Sequence, residues 1–454
     1  MIQTVENIGE KLVSMLTYDA SQPLIFSSGL FLFLFAGFLF FYGFTRRAPM
    51  ARIVYVILFS LYFYYKSSGI YFLLLVFASV SDYWIAHAIY KVRTQRAKYW
   101  LVGLSVLVNL GMLGYFKYTN FLIEIANNLF GQGFLNFQNI FLPVGISFFV
   151  FQSMSYTIDI CRGQLKPLNN WADYLFYLSF FPQLVAGPIV RAKDFIPQIR
   201  QNPLRVTREM FGMGVFLILI GLFKKAVISD YISLNFVDRI FDEPLLYSGF
   251  ECLMGIYGYA LQIYCDFSGY SDMAIGIALL LGFRFPKNFD APYKSATITE
   301  FWRRWHISLS TWLRDYLYIS LGGNRKGRIR TYFNLLVTML LGGLWHGAAV
   351  RFILWGALHG IALALHKLWL SVVPGSKATG AEMRWFWRIP GIFFTFNLVC
   401  FGWLMFRAES MKTVQLMLHQ IFTNFNPSVI PQVLEGYAGI FLLSLIHISE
   451  PTRP

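Results

Sequence analysis

The sequence GGLWHGAA at residues 342–349 places His346 inside an apolar run from Leu335 to Val350. A titratable ring at membrane depth is costly and marks a candidate functional site. Glycine is a poor helix former, by about 1 kcal/mol relative to alanine, so glycines on both sides of His346 indicate that another group approaches closely. These residues alone leave two hypotheses open: a functional histidine, or tight helix packing around a hydrogen-bonded one.

A second histidine, His306, lies upstream in FWRRWHIS at residues 301–308. Thr297 and Glu300 have the spacing of a capping box, which predicts one helix from there to the turn at residues 322–324. Residues at helical spacing give this helix an apolar face: Trp302, Trp305, Leu309, Trp312 and Tyr316. We expect the helix to lie at a membrane interface with its tryptophans inward. Taken alone, His306 is typical of an ordinary interfacial polar residue.

Five motifs occur along the chain: FPQLVAGPI (181–189), DFSGYSD (266–272), NFDAPY (288–293), FWRRWH (301–306) and LWHG (344–347). Together they resemble the membrane-bound O-acyltransferase family, in particular its bacterial alginate O-acetyltransferase branch. The resemblance implies an all-α polytopic membrane protein, with roughly ten or more transmembrane helices plus re-entrant and interfacial helices around a central tunnel. It also implies that His346 is the catalytic histidine and that His306 is a second histidine required near the reaction centre.

The composition agrees with a membrane protein. Of 454 residues, 56% are hydrophobic and 13% are charged, whereas soluble domains contain about 25% charged residues. The formal net charge of +15 comes from short cationic clusters between apolar runs, which positive-inside topology explains better than nucleic acid binding. The four cysteines show no CxxC pair and are expected to be packing residues.

Apolar runs predict where the chain crosses the membrane. The predicted spans are Pro23 to Phe44, Ile53 to Tyr65, Gly69 to Tyr90, Tyr99 to Tyr118, Phe137 to Ile160, Phe211 to Ile232, Cys252 to Phe283, Tyr332 to Leu344, Val350 to Leu370 and Phe386 to Phe406. Basic clusters predict a cytoplasmic location for Arg93, Arg200 and Arg325, with Asn127 and Asp242 outside. The segment from Thr119 to Asn136 is expected to be an outer loop.

The segment from Trp171 to Val190 has basic residues on both flanks and is interrupted by Pro182, Gly187 and Pro188. A re-entrant segment fits this pattern, provided that its non-helical backbone is buried in protein or lines a cavity. A pair of short interfacial helices fits it nearly as well.

Residues 1–442 are expected to form a single transmembrane domain of the membrane-bound O-acyltransferase type, truncated at its C-terminus. Residues 443–454 read as the translation of a common sequencing-library adapter. We therefore expect this tail to be non-native, and His447 is given no functional role.

The candidate chemistry is acyl transfer by histidine. A neutral imidazole is suited to take a proton from a sugar hydroxyl near neutral pH, and His346 is the candidate general base. The developing oxyanion would be held by His306 or a backbone N–H. The sequence contains neither a G-x-S-x-G elbow nor H-E-x-x-H spacing, so it predicts no serine acyl-enzyme and no metal site. His359 and His366 are expected to pack within a helix or against its neighbours.

Substrate binding is expected from residues around the two histidines and from a basic segment after them. The candidates are Trp345, Arg303, Arg304, Asp266, Asp272, Arg325, Lys326 and Arg328. Asp266 and Asp272 lie in apolar surroundings and need partners, for which Arg303, Arg304 and Lys225 are available. The donor is expected to be acetyl-CoA or another acyl thioester, used as a substrate, and no bound cofactor is expected.

The resemblance implies a location and partners as well. It places the protein in the bacterial cytoplasmic (inner) membrane, in contact with lipid. A separate extracytoplasmic acetyltransferase would receive the acetyl group and add it to a polysaccharide, with alginate, cellulose, peptidoglycan and other polymers left open. Two alternatives remain: D-alanyl transfer to teichoic acid and, from a different class, a transporter or channel. Transporters often show repeated halves, and no such repeat is found in the sequence.

Overall fold

The structure is a computed structural model that describes residues 13–45, 47–185, 187–201, 205–373, 375–376, 380 and 383–433. Every regular element in this part of the chain is helical, as the sequence predicts. The α-helices are α1 Gly29–Tyr42, α2 Pro49–Ser68, α3 Phe72–Lys91, α4 Gln95–Leu113, α5 Thr119–Phe130, α6 Ile146–Cys161, α7 Trp171–Ser179, α8 Phe181–Leu184, α9 Ala192–Ile199, α10 Arg208–Leu222, α11 Asp230–Ile232, α12 Asp238–Asp242, α13 Gly249–Leu280, α14 Ile298–Arg304, α15 Ile307–Trp312, α16 Arg328–His346, α17 Val350–Val372, α18 Trp385–Arg407 and α19 Met411–Thr423.

The described residues contain five helical segments that are long and apolar enough to cross a membrane. They are Pro49–Lys91, Gln95–Phe130, Arg208–Asp242, Val350–Val372 and Trp385–Arg407. The larger number expected from the sequence is not confirmed. The run predicted from Pro23 to Phe44, for example, forms the 14-residue helix α1, about 21 Å long, which is shorter than the roughly 30 Å of a bilayer core.

The chain divides into two compact units. The first contains residues 1–219 and 271–286, and the second contains residues 220–270 and 287–454. The 32-residue helix α13 contributes residues to both units. The predicted tail at residues 443–454 lies outside the described residues.

Aromatic side chains fill much of the first unit. Ser28 is the N-cap of helix α1. Its hydroxyl accepts a hydrogen bond from the Phe31 N–H at 3.2 Å, the usual function of an N-cap serine. Phe31, Phe35 and Phe38 then repeat along one face of this helix. Their rings lie 5.8 to 6.3 Å from the ring of Phe181. The FPQLVAGPI motif therefore has a packing function in this unit.

A buried carboxylate joins three helices of the first unit. Asp82 of α3 is fully buried and accepts hydrogen bonds from Ser105 Oγ and Asn109 Nδ2 of α4, both at 2.6 Å. Ser153 of α6 donates to the same carboxylate, and Tyr174 of α7 contacts the Ser153 hydroxyl at 2.9 Å. Since a buried charge needs hydrogen-bonding partners, this cluster accounts for the polar residues of these helices.

The segment from Trp171 to Val190 contains two short helices, α7 and α8, separated by the non-helical residue Phe180. Tyr174, Tyr177 and Phe180 are fully buried. The protein thus buries this broken backbone, which is the condition expected for non-helical structure at membrane depth. Both hypotheses for the segment include short helices of this kind.

The prediction of an outer loop from Thr119 to Asn136 is wrong in part, because the first twelve residues of this segment form helix α5, Thr119–Phe130. Ile123 is buried on one face of this helix, whereas Leu122 and Leu129 are exposed. The chain then folds back on the helix. Asn127 donates to the Leu135 carbonyl at 2.9 Å and accepts from the Leu135 N–H at 2.8 Å.

The second unit contains a core of tryptophans and aliphatic residues from α13 to α19. Trp355 and Trp403 are almost completely buried, at 1% exposure each, and their rings lie 6.2 Å apart. The stretch that follows the predicted span Phe211 to Ile232 is helical as far as Asp242. Asp238 in this stretch pairs with Arg407 of α18 at 2.6 Å. Cys161, Cys252, Cys265 and Cys400 are buried, as expected for packing residues.

Candidate active site

The helix predicted across FWRRWHIS is interrupted at His306. Helix α14 begins as expected, because Thr297 Oγ1 accepts a hydrogen bond from the Glu300 N–H at 3.1 Å. It ends at Arg304, and His306 has a φ of +43°, a left-handed conformation that is uncommon for residues other than glycine. The prediction of one continuous helix is therefore wrong. Strained backbone of this kind occurs preferentially at functional sites.

Asn288 holds the chain in this interrupted conformation. Its carbonyl oxygen accepts from the Ile307 N–H at 2.9 Å, and its Oδ1 accepts from the Ser308 N–H at 3.2 Å. These two bonds replace helical hydrogen bonds that the N–H groups of residues 307 and 308 would otherwise make. Asn288 belongs to the NFDAPY motif, for which the sequence indicated no function.

The interruption buries the His306 ring in the second unit. His306 is 1% exposed, and its ring lies 4.6 Å from the perpendicular ring of Phe267. Trp302, Trp305, Leu309, Trp312 and Tyr316 are also buried, so the expected inward apolar face is confirmed. His306 is therefore a residue of the interior and differs from an ordinary interfacial polar side chain.

The surroundings of His306 favour its neutral form. Burial, and secondarily the nearby His346, hold the pKa of His306 well below its ordinary value. The ring is therefore uncharged at neutral pH. Its Nε2 is buried and has no hydrogen-bond partner among the described residues. A buried polar atom without a partner is rare and needs a functional or structural explanation.

His346 is the last residue of α16 and is partly exposed. Its ring lies between aromatic rings, 4.9 Å from Trp345, 5.1 Å from Trp355 and 5.1 Å from Phe406. Trp345 also contacts His306, at 6.4 Å between ring centroids. The structure therefore brings both predicted histidines and Trp345 into one site.

The glycines around His346 allow two helices to pack closely. A Cβ at Gly343 would overlap the backbone carbonyl of Phe352 in α17, and a Cβ at Gly347 would overlap the Phe352 ring. From the other helix, a Cβ at Gly356 would overlap the carbonyl of Met339. The close approach indicated by the sequence is thus helix packing around His346, the second of the two hypotheses for these glycines.

We expect Gly343→Ala to destabilise the protein by about 3 kcal/mol, the upper part of the usual range for overpacking, because the added methyl group meets rigid backbone. The neighbouring Gly342→Ala is a matched control. Its Cβ would lie 3.2 Å from the flexible Leu313 Cδ1, and alanine is the better helix former. Thermal unfolding of both purified variants in detergent measures the difference. Equal midpoints for the two variants would show that α16 and α17 do not pack closely at Gly343.

The charged candidates are only partly associated with this site. Asp266 pairs with Lys225 at 2.6 Å, one of the three predicted partners. Arg304 pairs with Glu300 at 2.9 Å, whereas Arg303 is exposed. Asp272 belongs to the first compact unit, whereas the other candidates belong to the second. The basic residues that follow are all exposed, namely Arg325, Lys326 and Arg328.

His359 and His366 occupy different surroundings. His359 is completely buried, 4.8 Å from the ring of Trp355 and 5.2 Å from that of Trp302, so the expectation of packing is confirmed. His366 Nδ1 pairs with Thr299 Oγ1 at 2.7 Å. Within the part of the chain that the structure describes, no three His, Cys, Asp or Glu side chains are grouped so that they could hold a metal ion.

The apolar helical segments of spanning length indicate a multi-pass membrane protein, and His306, Trp345 and His346 lie together in its second unit. Comparison with known proteins identifies the family. Residues 164–410 match the model of the MBOAT, membrane-bound O-acyltransferase family.

Three relatives illustrate the range of this similarity. The chain is 44% identical over 406 residues to the probable alginate O-acetylase AlgI of Azotobacter vinelandii, covering 88% of this chain and 78% of that protein. It is 36% identical over 460 residues to the peptidoglycan O-acetyltransferase of Helicobacter pylori, covering 94% and 82%. It is 31% identical over 337 residues to the teichoic acid D-alanyltransferase of Streptococcus thermophilus, covering 70% and 77%.

The chain belongs to the membrane-bound O-acyltransferase family and is an O-acyltransferase. This identification favours the enzyme over the transporter or channel considered above.

Proposed function

We propose that this protein moves an acetyl group from a cytoplasmic thioester across the membrane for O-acetylation of an extracellular polysaccharide, alginate or a similar polymer. The observation that supports this most directly is that two histidines, His306 and His346, both lie beside Trp345. The similarity to a probable alginate O-acetylase and to a peptidoglycan O-acetyltransferase supports acetyl as the group that is transferred.

The proposed chemistry uses His346 as the catalytic histidine. Its imidazole takes the proton of the acceptor hydroxyl while the hydroxyl oxygen attacks the thioester carbonyl. Backbone N–H groups stabilise the oxyanion that forms. When the C–S bond breaks, the thiolate leaves and takes the proton from the His346 imidazolium. The products are an ester and a free thiol, and no group remains on the protein.

Aromatic side chains around His346 would exclude water from the reacting atoms. Trp345, Trp355 and Phe406 contact the ring on three sides. Exclusion of water strengthens electrostatic interactions within the site and limits hydrolysis of the thioester. This is the role that we propose for Trp345 in substrate binding.

The proposed donor is acetyl-CoA or another acyl thioester, which is made in the cytoplasm. Arg325, Lys326 and Arg328 form an exposed basic surface that suits the phosphates of such a donor. We place the protein in the bacterial inner membrane with this surface in the cytoplasm. A separate acetyltransferase outside the membrane would receive the acetyl group.

Neutralising Arg325, Lys326 and Arg328 with glutamine is expected to raise the apparent KM for the donor and to leave kcat largely unchanged, because these residues would attract the donor without contacting the reacting atoms. The salt dependence of kcat/KM should also become weaker. Lys412→Gln, at an exposed position outside this surface, is the control. If the triple variant has the wild-type KM and salt dependence, the basic residues only orient the protein in the membrane.

Acetylation of the extracellular polymer can be tested in the bacterium that encodes the protein. Deletion of the gene is expected to remove O-acetyl esters from the extracellular polymer, and the wild-type gene should restore them where His346→Ala does not. The runner-up activity, D-alanyl transfer, is supported by the D-alanyltransferase relative. A loss of D-alanyl esters with normal O-acetyl content would favour that activity instead.

A further inference from the structure

Hydrogen bonds around Asn288 determine how its side-chain amide is oriented. The atom facing Ser308 lies 3.2 Å from the Ser308 backbone N–H and 2.9 Å from the Ser308 hydroxyl. Because a backbone N–H can only donate, the amide atom that it meets is the oxygen, Oδ1. The opposite amide orientation would place two donors against each other.

The same oxygen determines which nitrogen of His306 has the hydrogen. Asn288 Oδ1 lies 3.3 Å from His306 Nδ1, and an amide oxygen accepts hydrogen bonds without donating them. Nδ1 is therefore the N–H of the ring. A neutral imidazole has one N–H, so Nε2 has the lone pair, and it is this atom that is buried without a partner among the described residues.

We propose that Asn288 and Ser308 are positioning residues that hold His306 in the Nδ1–H tautomer, so that its Nε2 accepts a hydrogen bond from an N–H or O–H group of the substrate. The tautomer stands on geometry alone, whereas the contact with substrate rests on the proposed function. In this tautomer His306 does not donate to the oxyanion. It is also a weak base because its pKa is low, so the reacting proton goes to His346.

Two parts of the proposed substrates present the required donor. One is the amide N–H of the pantetheine arm of the thioester, and the other is a hydroxyl of the acyl acceptor. In either case the hydrogen bond fixes the position of the substrate beside His346. A substrate held in this way loses less orientational freedom in the transition state.

The tautomer can be observed directly by 15N NMR of the full-length protein in lipid with labelled histidine, using His306→Asn to assign the signals. We expect a pyrrole-like shift for Nδ1 of His306 and a pyridine-like shift for Nε2. The reverse pattern would overturn the tautomer, whether or not the protein transfers acetyl groups. Adding a thioether analogue of acetyl-CoA or the extracytoplasmic acceptor should then move the Nε2 signal. The compound that moves the Nε2 signal identifies the substrate whose N–H or O–H bonds to His306. If neither compound moves the signal, the proposed substrate contact is wrong.

Kinetics of one Asn288 variant and 15N NMR of another test the positioning role. Asn288→Leu removes the acceptor oxygen and should lower kcat about tenfold, the effect of one hydrogen bond. Asn288→Asp keeps an oxygen, but its negative charge favours the imidazolium form of His306. The 15N signals of His306 in this variant should therefore show protonation of both ring nitrogens at a higher pH than in the wild type. A folded Asn288→Asp variant in which the His306 signals titrate as in the wild type would overturn the positioning role.

Discussion

His346→Ala is expected to reduce acyl transfer by roughly 100-fold to 10,000-fold, the usual effect of losing a general base. The residue lies at the C-terminal end of α16 and is partly exposed, so its truncation removes little of the buried core. The variant should therefore insert in the membrane and unfold near the wild-type temperature. Steady-state kinetics of the purified protein give kcat and KM, and the loss should appear in kcat.

The matched control for this prediction is His419→Ala. His419 is exposed on α19, and its replacement should leave kcat and KM unchanged. His359 is unsuitable as a control because it is completely buried, and truncating it would leave a cavity among tryptophans. A folded His346→Ala variant with near-normal turnover would show that His346 is not the general base and make His306 the leading candidate.

Replacement of His306 is the second change with a large expected effect. His306→Ala would leave a cavity and put alanine at a positive φ, so it should lower stability as well as activity. His306→Asn separates the two effects, because asparagine tolerates the left-handed conformation. We expect this variant to remain folded and to lose roughly 10-fold to 100-fold in kcat, since His346 would still act as the base.

Thermal unfolding and kinetics of both His306 variants check this prediction. The residual rate of His306→Asn should exceed that of His346→Ala under the same conditions. If His306→Asn is folded and fully active, His306 has only a structural function at the interruption between α14 and α15.

Features encoded in short stretches of sequence were predicted well. Thr297 caps α14, and the apolar face from Trp302 to Tyr316 is buried as expected, because capping and helical spacing depend on neighbouring residues. The pairing of Asp266 with Lys225 was one of three possibilities that the charges allowed. The family motifs directed attention to His306 and His346, which the structure places around Trp345.

Features that depend on distant residues were missed or left open. The interruption at His306 depends on Asn288, which is separated from Ser308 by 20 residues in the sequence. No local pattern at residues 301–308 indicates that these two side chains meet. For the same reason, the sequence could not decide whether the glycines near His346 admit a substrate or a helix, since the answer depends on Phe352 in the next helix.

The number of membrane crossings was overestimated relative to the five apolar helical segments of the described residues, because hydropathy does not distinguish a lipid-facing helix from a buried one. In the first unit, α7 has an apolar sequence but is nine residues long and buried. The predicted span from Phe137 to Ile160 includes a non-helical part before α6 begins at Ile146. An apolar run therefore does not by itself indicate a helix long enough to cross a membrane.

Transfer of a doubly labelled donor tests the central claim most directly. Wild-type protein is reconstituted in vesicles with a thioester labelled separately on its acetyl and thiol parts, supplied on the face exposing Arg325, and with the extracytoplasmic acceptor on the other face. We predict that the acetyl label appears in an O-acetyl ester on the acceptor side while the thiol label stays with the donor, and that His346→Ala abolishes this transfer. Passage of both labels together, or equal transfer by a folded His346→Ala variant, would contradict acyl transfer at His346.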